Sequence, residues 1–441
     1  MRNHKDFSRN TTHRTRPHPI MVLLAVLAIS SAALAPPDVR AQTAENNLRT
    51  NRADQGTATL DGKVLDSWRK QTSEARIHPV NIVVIGDSIA CCIGPTDYEN
   101  TWTNVLRQRL ALQYGDHGSG IIPVGNNEGL STNPQWSIHP YSGSVETIAF
   151  GPFQSGEGAF GSVFRLRGEA QLTVLLPAKR PDRIVLYYAS ASDSTNGITV
   201  HYQDGVLATV GRIGSPAFKA RSVSIPIKDS GYSRLSFSAA SVDGSAYIYG
   251  IEFIYGNSGI SLHNLAHGYA RTEAWGSHPE QQLAFLSQIQ GGIQLAIVSL
   301  GVNDSINGAG TTDVQYRDNM SAIVAQLRRL NPRMAIVIFD EISTEQGESA
   351  SLLSQNAVRR QEMVMAQKLS LGFVSPLAVF GTSPSAVKRG LFSRDKVHPN
   401  DLGDRLIADV IQRYLQSSVS DRITSVSREV ENVTPSGETA K

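Results

Sequence analysis

The sequence predicts an α/β protein with a parallel sheet covered by helices on both sides, interrupted by a long β-rich stretch. Three observations point there. Ile82-Val-Val-Ile85 is a run of apolar β-formers closed by Gly86, as in a strand buried on both faces. From Ile260 onward, short apolar runs alternate with longer segments of helical period. Between about Pro123 and Gly256 there are instead short β-rich segments separated by turn signals such as Asn196-Gly197, Asp204-Gly205 and Asp243-Gly244.

Taken in order, Leu60, Val64 and Trp68 have helical spacing and predict a helix from Thr59 to about Glu74. The strand at 82–85 follows. Trp102, Val105, Leu106 and Leu110 then share a helix face that ends at Tyr114-Gly115-Asp116-His117-Gly118. Strands are expected at 171–176, 183–188, 198–202, 206–210, 222–227, 234–238 and 247–255, whose even spacing predicts a β-sandwich of jelly-roll type. The α/β pattern resumes with a strand at 260–265, a turn at Gly268 and a helix carrying Leu283, Phe285, Leu286 and Ile289. A strand at 295–300 leads through Gly301-Val-Asn303-Asp304 to a helix with Met320, Ile323, Val324, Leu327 and Leu330. A strand at 335–339, a helix around 350–371, a strand at 373–375 and a helix from Asp401 complete the series. The last helix buries Leu402, Leu406, Val410, Ile411, Tyr414 and Leu415.

These elements divide the 441 residues into a lead-in at 42–57, an α/β part at 58–122, an inserted β-domain at 123–256, a second α/β part at 257–416 and a polar tail at 417–441. Residues 1–41 stand apart. Arg2, Lys5, Arg9, Arg14 and Arg16 precede the apolar run 21–35, which is too short to span a bilayer comfortably, and Val39-Arg40-Ala41 offers a cleavage site. This reads as a secretory signal peptide cut after Ala41, which implies a periplasmic or secreted protein with no stable membrane span. A net charge of +2 with no long basic run argues against a nucleic-acid partner. The only cysteines, Cys91 and Cys92, are adjacent; neighbours cannot staple a fold, so they read as small apolar residues packing the helix after Ser88.

Ligands of an open parallel sheet sit at the carboxyl ends of its strands. Ser88 follows the first strand, Gly268 the second and Asn303 the third, and Asp395 and His398 lie in the loop before the last helix. Ester hydrolysis at serine needs a base, a group that orients the base, and donors for the oxyanion. His398 suits the first task and Asp395 the second. The Asn303 amide, with the N–H groups of Ser88 and Gly268, suits the third. No metal or other cofactor is expected: His263 and His267 are four apart but lack the glutamate of a His-Glu-x-x-His site. Asp340-Glu341, at a strand end, reads as a helix cap.

Gly86-Asp87-Ser88, Gly268, Gly301-Val302-Asn303-Asp304 and Asp395-Lys396-Val397-His398 resemble the four signature blocks of the SGNH (GDSL) hydrolases. The residue two after Ser88 is Ala90, so the Gly-x-Ser-x-Gly elbow of ordinary α/β-hydrolases is absent. The resemblance implies a flavodoxin-like three-layer α/β/α domain. It also implies Ser88 as nucleophile, Asp395 and His398 as the rest of a triad, and Gly268 and Asn303 as oxyanion donors. A β-domain between the first two blocks is similar to that of periplasmic peptidoglycan O-acetylesterases and related carbohydrate esterases. The expected substrate is therefore an O-acetylated carbohydrate. Tyr187, Tyr188, Tyr202, Tyr247, Tyr249 and Tyr255 are either sheet packing or rings for sugar stacking. Competing readings are a polysaccharide O-acetyltransferase with the same triad, a lipid or short-chain esterase, and a carbohydrate-binding protein with a silent α/β domain.

Overall fold

The computed structural model describes residues 63–124, 136–139, 144–149, 162–191, 197–202, 205–211, 219–227, 233–276, 279–306, 310–344 and 353–417. The expected signal peptide, lead-in and tail lie outside them, apart from Ser417. Among the described residues no helix is long and apolar enough to cross a membrane.

Sixteen strands are described. Five form a parallel sheet: β1 (Pro79–Gly86), β13 (Gly259–Asn264), β14 (Leu295–Ser299), β15 (Ala335–Phe339) and β16 (Gly372–Val374). Their order is β13-β1-β14-β15-β16, so the strand carrying Gly86 lies between the next two in sequence. The order therefore reverses at β1, and the crevice at its carboxyl end is where such sheets hold ligands. The five strands are buried, and Ile82–Ile85 of β1, Leu295–Val298 of β14 and all of β15 are continuous apolar runs, as expected of strands covered on both faces. Helices Trp102–Tyr114, Asp313–Leu330, Gln355–Leu369 and Asp401–Gln416 match the expected ones to within a few residues.

The remaining strands are antiparallel. They are β2 (Gly118–Pro123), β3 (Trp136–His139), β4 (Ser144–Ala149), β5 (Ser162–Arg167), β6 (Gln171–Leu175), β7 (Arg183–Ser190), β8 (Ile198–Tyr202), β9 (Gly205–Val210), β10 (Lys219–Pro226), β11 (Arg234–Ala239) and β12 (Ser245–Ile254). One sheet runs β10-β7-β12-β5-β4 with β2 also on β12, and the other runs β3-β6-β11-β8-β9. Phe164, Leu166, Leu186 and Ile248 of the first share an apolar core with Leu172, Val200, Leu235 and Phe237 of the second. Strands β2 to β5 were not expected. Gly120 shows why for β2: it sits at φ +70 where a Cβ would fall 1.8 Å from the Leu262 carbonyl oxygen, so glycine here marks close backbone approach, not a turn.

The opposite face of the six-stranded sheet packs on the α/β part. The Phe285 ring meets Tyr249 edge-on at 5.2 Å and Tyr187 at 6.0 Å, within one buried cluster that also holds Val83, Ile85 and Tyr316. Tyr187, Tyr188, Tyr247 and Tyr249 are thus buried packing residues and offer no ring to a sugar.

Beside this seam Glu252 is buried, accepting the Tyr187 hydroxyl at 3.1 Å. Burial pushes its carboxyl up to about 7, against the pull of hydrogen bonds from Tyr187 and Ser261. An acid whose pKa is raised on folding contributes stability that is full below its unfolded value of about 4.3 and is lost as pH climbs through the folded one. Buried His117 and His263, lowered by burial to about 4 and about 3, act with the opposite sign. The difference in melting temperature between wild type and Glu252→Gln isolates the carboxyl. It should move against the wild type as pH rises from 4 to 8 and be flat above.

Candidate active site

Asp87 caps the one-turn helix Ser88–Cys91, its Oδ1 accepting the Ile89 N–H at 2.8 Å. Ser88 therefore stands at the carboxyl end of β1, on the turn between strand and helix. Cys91 and Cys92 are joined by a disulfide. This corrects the reading of them as reduced packing residues: adjacent cysteines can close a small ring on themselves, although that ring ties no distant segments together. Just beyond, Gly94 sits at φ +107 where a Cβ would fall 2.0 Å from the Pro399 carbonyl oxygen and 2.9 Å from the His398 Cβ. Only glycine lets the chain back so closely onto the histidine turn.

That turn is held from several sides. Asp395 Oδ1 accepts the Ser393 hydroxyl and the N–H groups of Val397 and His398 at 2.8, 2.8 and 2.9 Å, with Lys396 at φ 58 between them. Asn400 caps the last helix through the N–H groups of Leu402 and Gly403, and its amide donates back to the Gly390 and Phe392 carbonyls. His398 Nδ1 lies 2.7 Å from Asp395 Oδ2, and Nε2 lies 2.9 Å from Ser88 Oγ. Burial opposes the Asp395 charge, but the hydrogen bonds from His398, Val397 and Ser393 prevail and lower its pKa to about 2. An ionised Asp395 can only accept, so the imidazole carries its proton on Nδ1 and turns the Nε2 lone pair to the Ser88 hydroxyl. This is the relay that a serine nucleophile needs.

Gly268 lies in the turn after β13, beside β1, where the His267 N–H donates to the Gly86 carbonyl at 3.2 Å. Asn303, in the short helix Val302–Ser305 after β14, donates from Nδ2 to Asp87 Oδ2 at 2.8 Å and to the Ala270 carbonyl at 3.1 Å. The sheet thus brings all five expected residues to one edge, and in this state both Asn303 amide hydrogens are engaged. His263 is buried beside Asn81 and His267 beside Gly268, and no cluster among the described residues could hold a metal ion.

Two features escaped the sequence reading. Tyr269, next to Gly268, is 77% exposed and held at φ 59, a conformation that few residues besides glycine and asparagine adopt readily. Glu341 does cap a helix, accepting the Val302 N–H at 2.8 Å, but it does so from the end of a neighbouring strand and also takes the Ser299 hydroxyl at 3.0 Å. No pattern signals a cap from a different strand.

Residues 251–406 match the GDSL-like lipase/acylhydrolase family, a span that contains Gly268, Asn303, Asp395 and His398 but not Ser88. A solved peptidoglycan O-acetylesterase superposes with a TM-score of 0.62 at 15% identity, covering 85% of this chain and 99% of that one. A two-domain esterase active on acetylated mannans, crystallized with mannopentaose, gives a TM-score of 0.39 at 12% identity over 86% of this chain and 57% of that one. Only the first is near enough to bear on the fold. Comparison with curated proteins finds no match. With the parallel sheet and the signature residues at its edge, the match gives residues 251–406 as a GDSL-like lipase/acylhydrolase domain and the protein as an enzyme of the class that acts on carboxylic esters.

Proposed function

We propose that the protein is an exported serine esterase that removes acetyl or other small acyl groups from a polysaccharide. The observation that carries this reading is the hydrogen-bonded series Ser88–His398–Asp395. His398 Nε2 takes the proton as Ser88 Oγ attacks the acyl carbonyl, then returns it to the departing sugar hydroxyl; water releases the acyl group by the same route. The oxyanion is met by the N–H groups of Ser88 and Gly268 and by Asn303 Nδ2. The apolar segment 21–35 supports export. The polysaccharide is suggested by the fold shared with a peptidoglycan O-acetylesterase along nearly its whole length, and by the exposed ring of Tyr269 beside Gly268. The antiparallel sheets form the proposed inserted β-domain. Their buried tyrosines leave any glycan contact to other residues.

Acetate release from O-acetylated peptidoglycan, xylan and mannan tests the substrate class, and acetate from none of them would overturn it. Transfer of the acyl group to added oligosaccharide in preference to water would instead mark an acyltransferase. Asn303→Ala should lower kcat by roughly 10²–10³ with little change in KM, because the contact forms mainly in the transition state. A parallel loss of melting temperature and activity would make Asn303 a turn residue only.

A further inference from the structure

We infer that Tyr269 is a specificity-determining residue, whose ring is the platform on which the sugar bearing the scissile ester stacks. The inference deepens the proposed esterase reading and rests on it, with Gly268 as an oxyanion donor.

Tyr269 is exposed where its neighbours are not. From Gly259 to Ala270 it is the one residue that is not buried, and among the side chains described it is the one exposed aromatic. The Ala270 N–H donates to the His267 carbonyl at 3.3 Å and closes a turn with Gly268 and Tyr269 at its tip. Tyr269 holds φ 59 there, in a position that glycine or asparagine usually fills.

Both flanks of the turn are tied to the catalytic edge. The His267 N–H donates to the Gly86 carbonyl at 3.2 Å, two residues before Ser88. On the other side Asn303 Nδ2 donates to the Ala270 carbonyl at 3.1 Å, and Thr272 donates its N–H and hydroxyl to Asp304 at 3.0 and 2.7 Å. The turn is thus fixed both to β1 and to the short helix after β14, and the base of the Tyr269 side chain is fixed with it.

The fold gains little from this ring. Left mostly in water, it buries little apolar area, and its backbone conformation costs energy that glycine would spare. Such an outlier beside a reaction centre points to what the side chain presents to a ligand.

The position says which ligand. Consecutive Cα atoms are about 3.8 Å apart, so the ring starts one residue from the N–H proposed to meet the acyl oxygen. Ser88 is only 8% exposed, so a small acyl group reaches it while the rest of the ester stays at the rim. A pyranose there presents a face of polarised C–H bonds that suits the negative face of the phenol ring, and its hydroxyls can bond the phenol oxygen.

The test compares acetate release from O-acetylated peptidoglycan, xylan and mannan with release from ethyl acetate, which has no ring to stack. On the polymer that the wild type hydrolyses best, Tyr269→Ala should lower kcat/KM relative to ethyl acetate about tenfold, with the change in KM rather than kcat. Tyr269→Gly should lose the same factor, yet its melting temperature should be no lower than the wild type's, because glycine accepts the turn. Tyr269→Phe keeps the ring and should keep most of the preference. An unchanged ratio in the alanine and glycine variants would overturn the inference. So would a loss in Tyr269→Ala that Tyr269→Gly restores, which marks a turn effect, or a loss in Tyr269→Phe as large as in Tyr269→Ala. If Tyr269→Ala does not fold, the glycine and phenylalanine variants decide. A wild type that hydrolyses ethyl acetate but none of the polymers would overturn the polysaccharide reading, and this inference with it.

Discussion

Replacing Ser88 with alanine should lower kcat for p-nitrophenyl acetate by roughly 10⁴–10⁶-fold while leaving the fold intact. The hydroxyl makes one recorded contact, to His398 Nε2, so its loss strands no buried donor and exposes no core. Circular dichroism and the melting temperature should therefore match the wild type. His398→Ala should fall by a similar factor, and the double variant no further, because the two groups act as one unit. A phosphonate that labels serine nucleophiles should add one group to the wild type, mapped to Ser88, and none to Ser88→Ala. Label on another residue would remove Ser88 from the mechanism.

The second large effect is expected far from the chemistry. Phe285→Ala should cost about 3–5 kcal/mol, the usual range for emptying a buried aromatic site. Phe285 is fully buried where its helix meets Tyr187 and Tyr249, and Ser222 of β10 donates to the Gln288 carbonyl at 3.0 Å in the turn that follows this helix. The loss should appear as a lower urea midpoint in a single transition, followed both by tryptophan fluorescence and by far-ultraviolet circular dichroism. Two transitions, with only the first shifted, would mean that the antiparallel sheets and the α/β part unfold separately.

Much of this was legible in the residues. Most of the parallel strands could be read because both their faces are buried, which leaves apolar runs such as Ile82–Ile85 and Ala335–Phe339. The long helices could be read because each buries one stripe. The site was legible for a related reason: in a parallel sheet, residues just after successive strands meet at one edge whatever their separation in sequence. What could not be read depends on neighbours that sequence does not order. An alternating strand looks the same whether its tyrosines meet solvent or Phe285, and β7 and β12 turned out to face a second layer on each side. β2 was hidden because its glycines serve a neighbouring strand. Glu341 was read as a cap, but nothing local says that the helix it caps follows another strand.

The strand order has a consequence for how the chain is made. Pro79 of β1 pairs with Gly259, and Ile82 pairs with Leu295. As the polypeptide leaves the ribosome, this apolar strand emerges early and both of its partners emerge only after the whole run of antiparallel strands. Until then Ile82, Val83, Val84 and Ile85 are an unpaired, sticky segment, the kind of species that aggregates or engages a chaperone. Synthesis halted before Asn264 should therefore leave a nascent chain whose antiparallel strands can fold but whose nucleophile strand still has no partner.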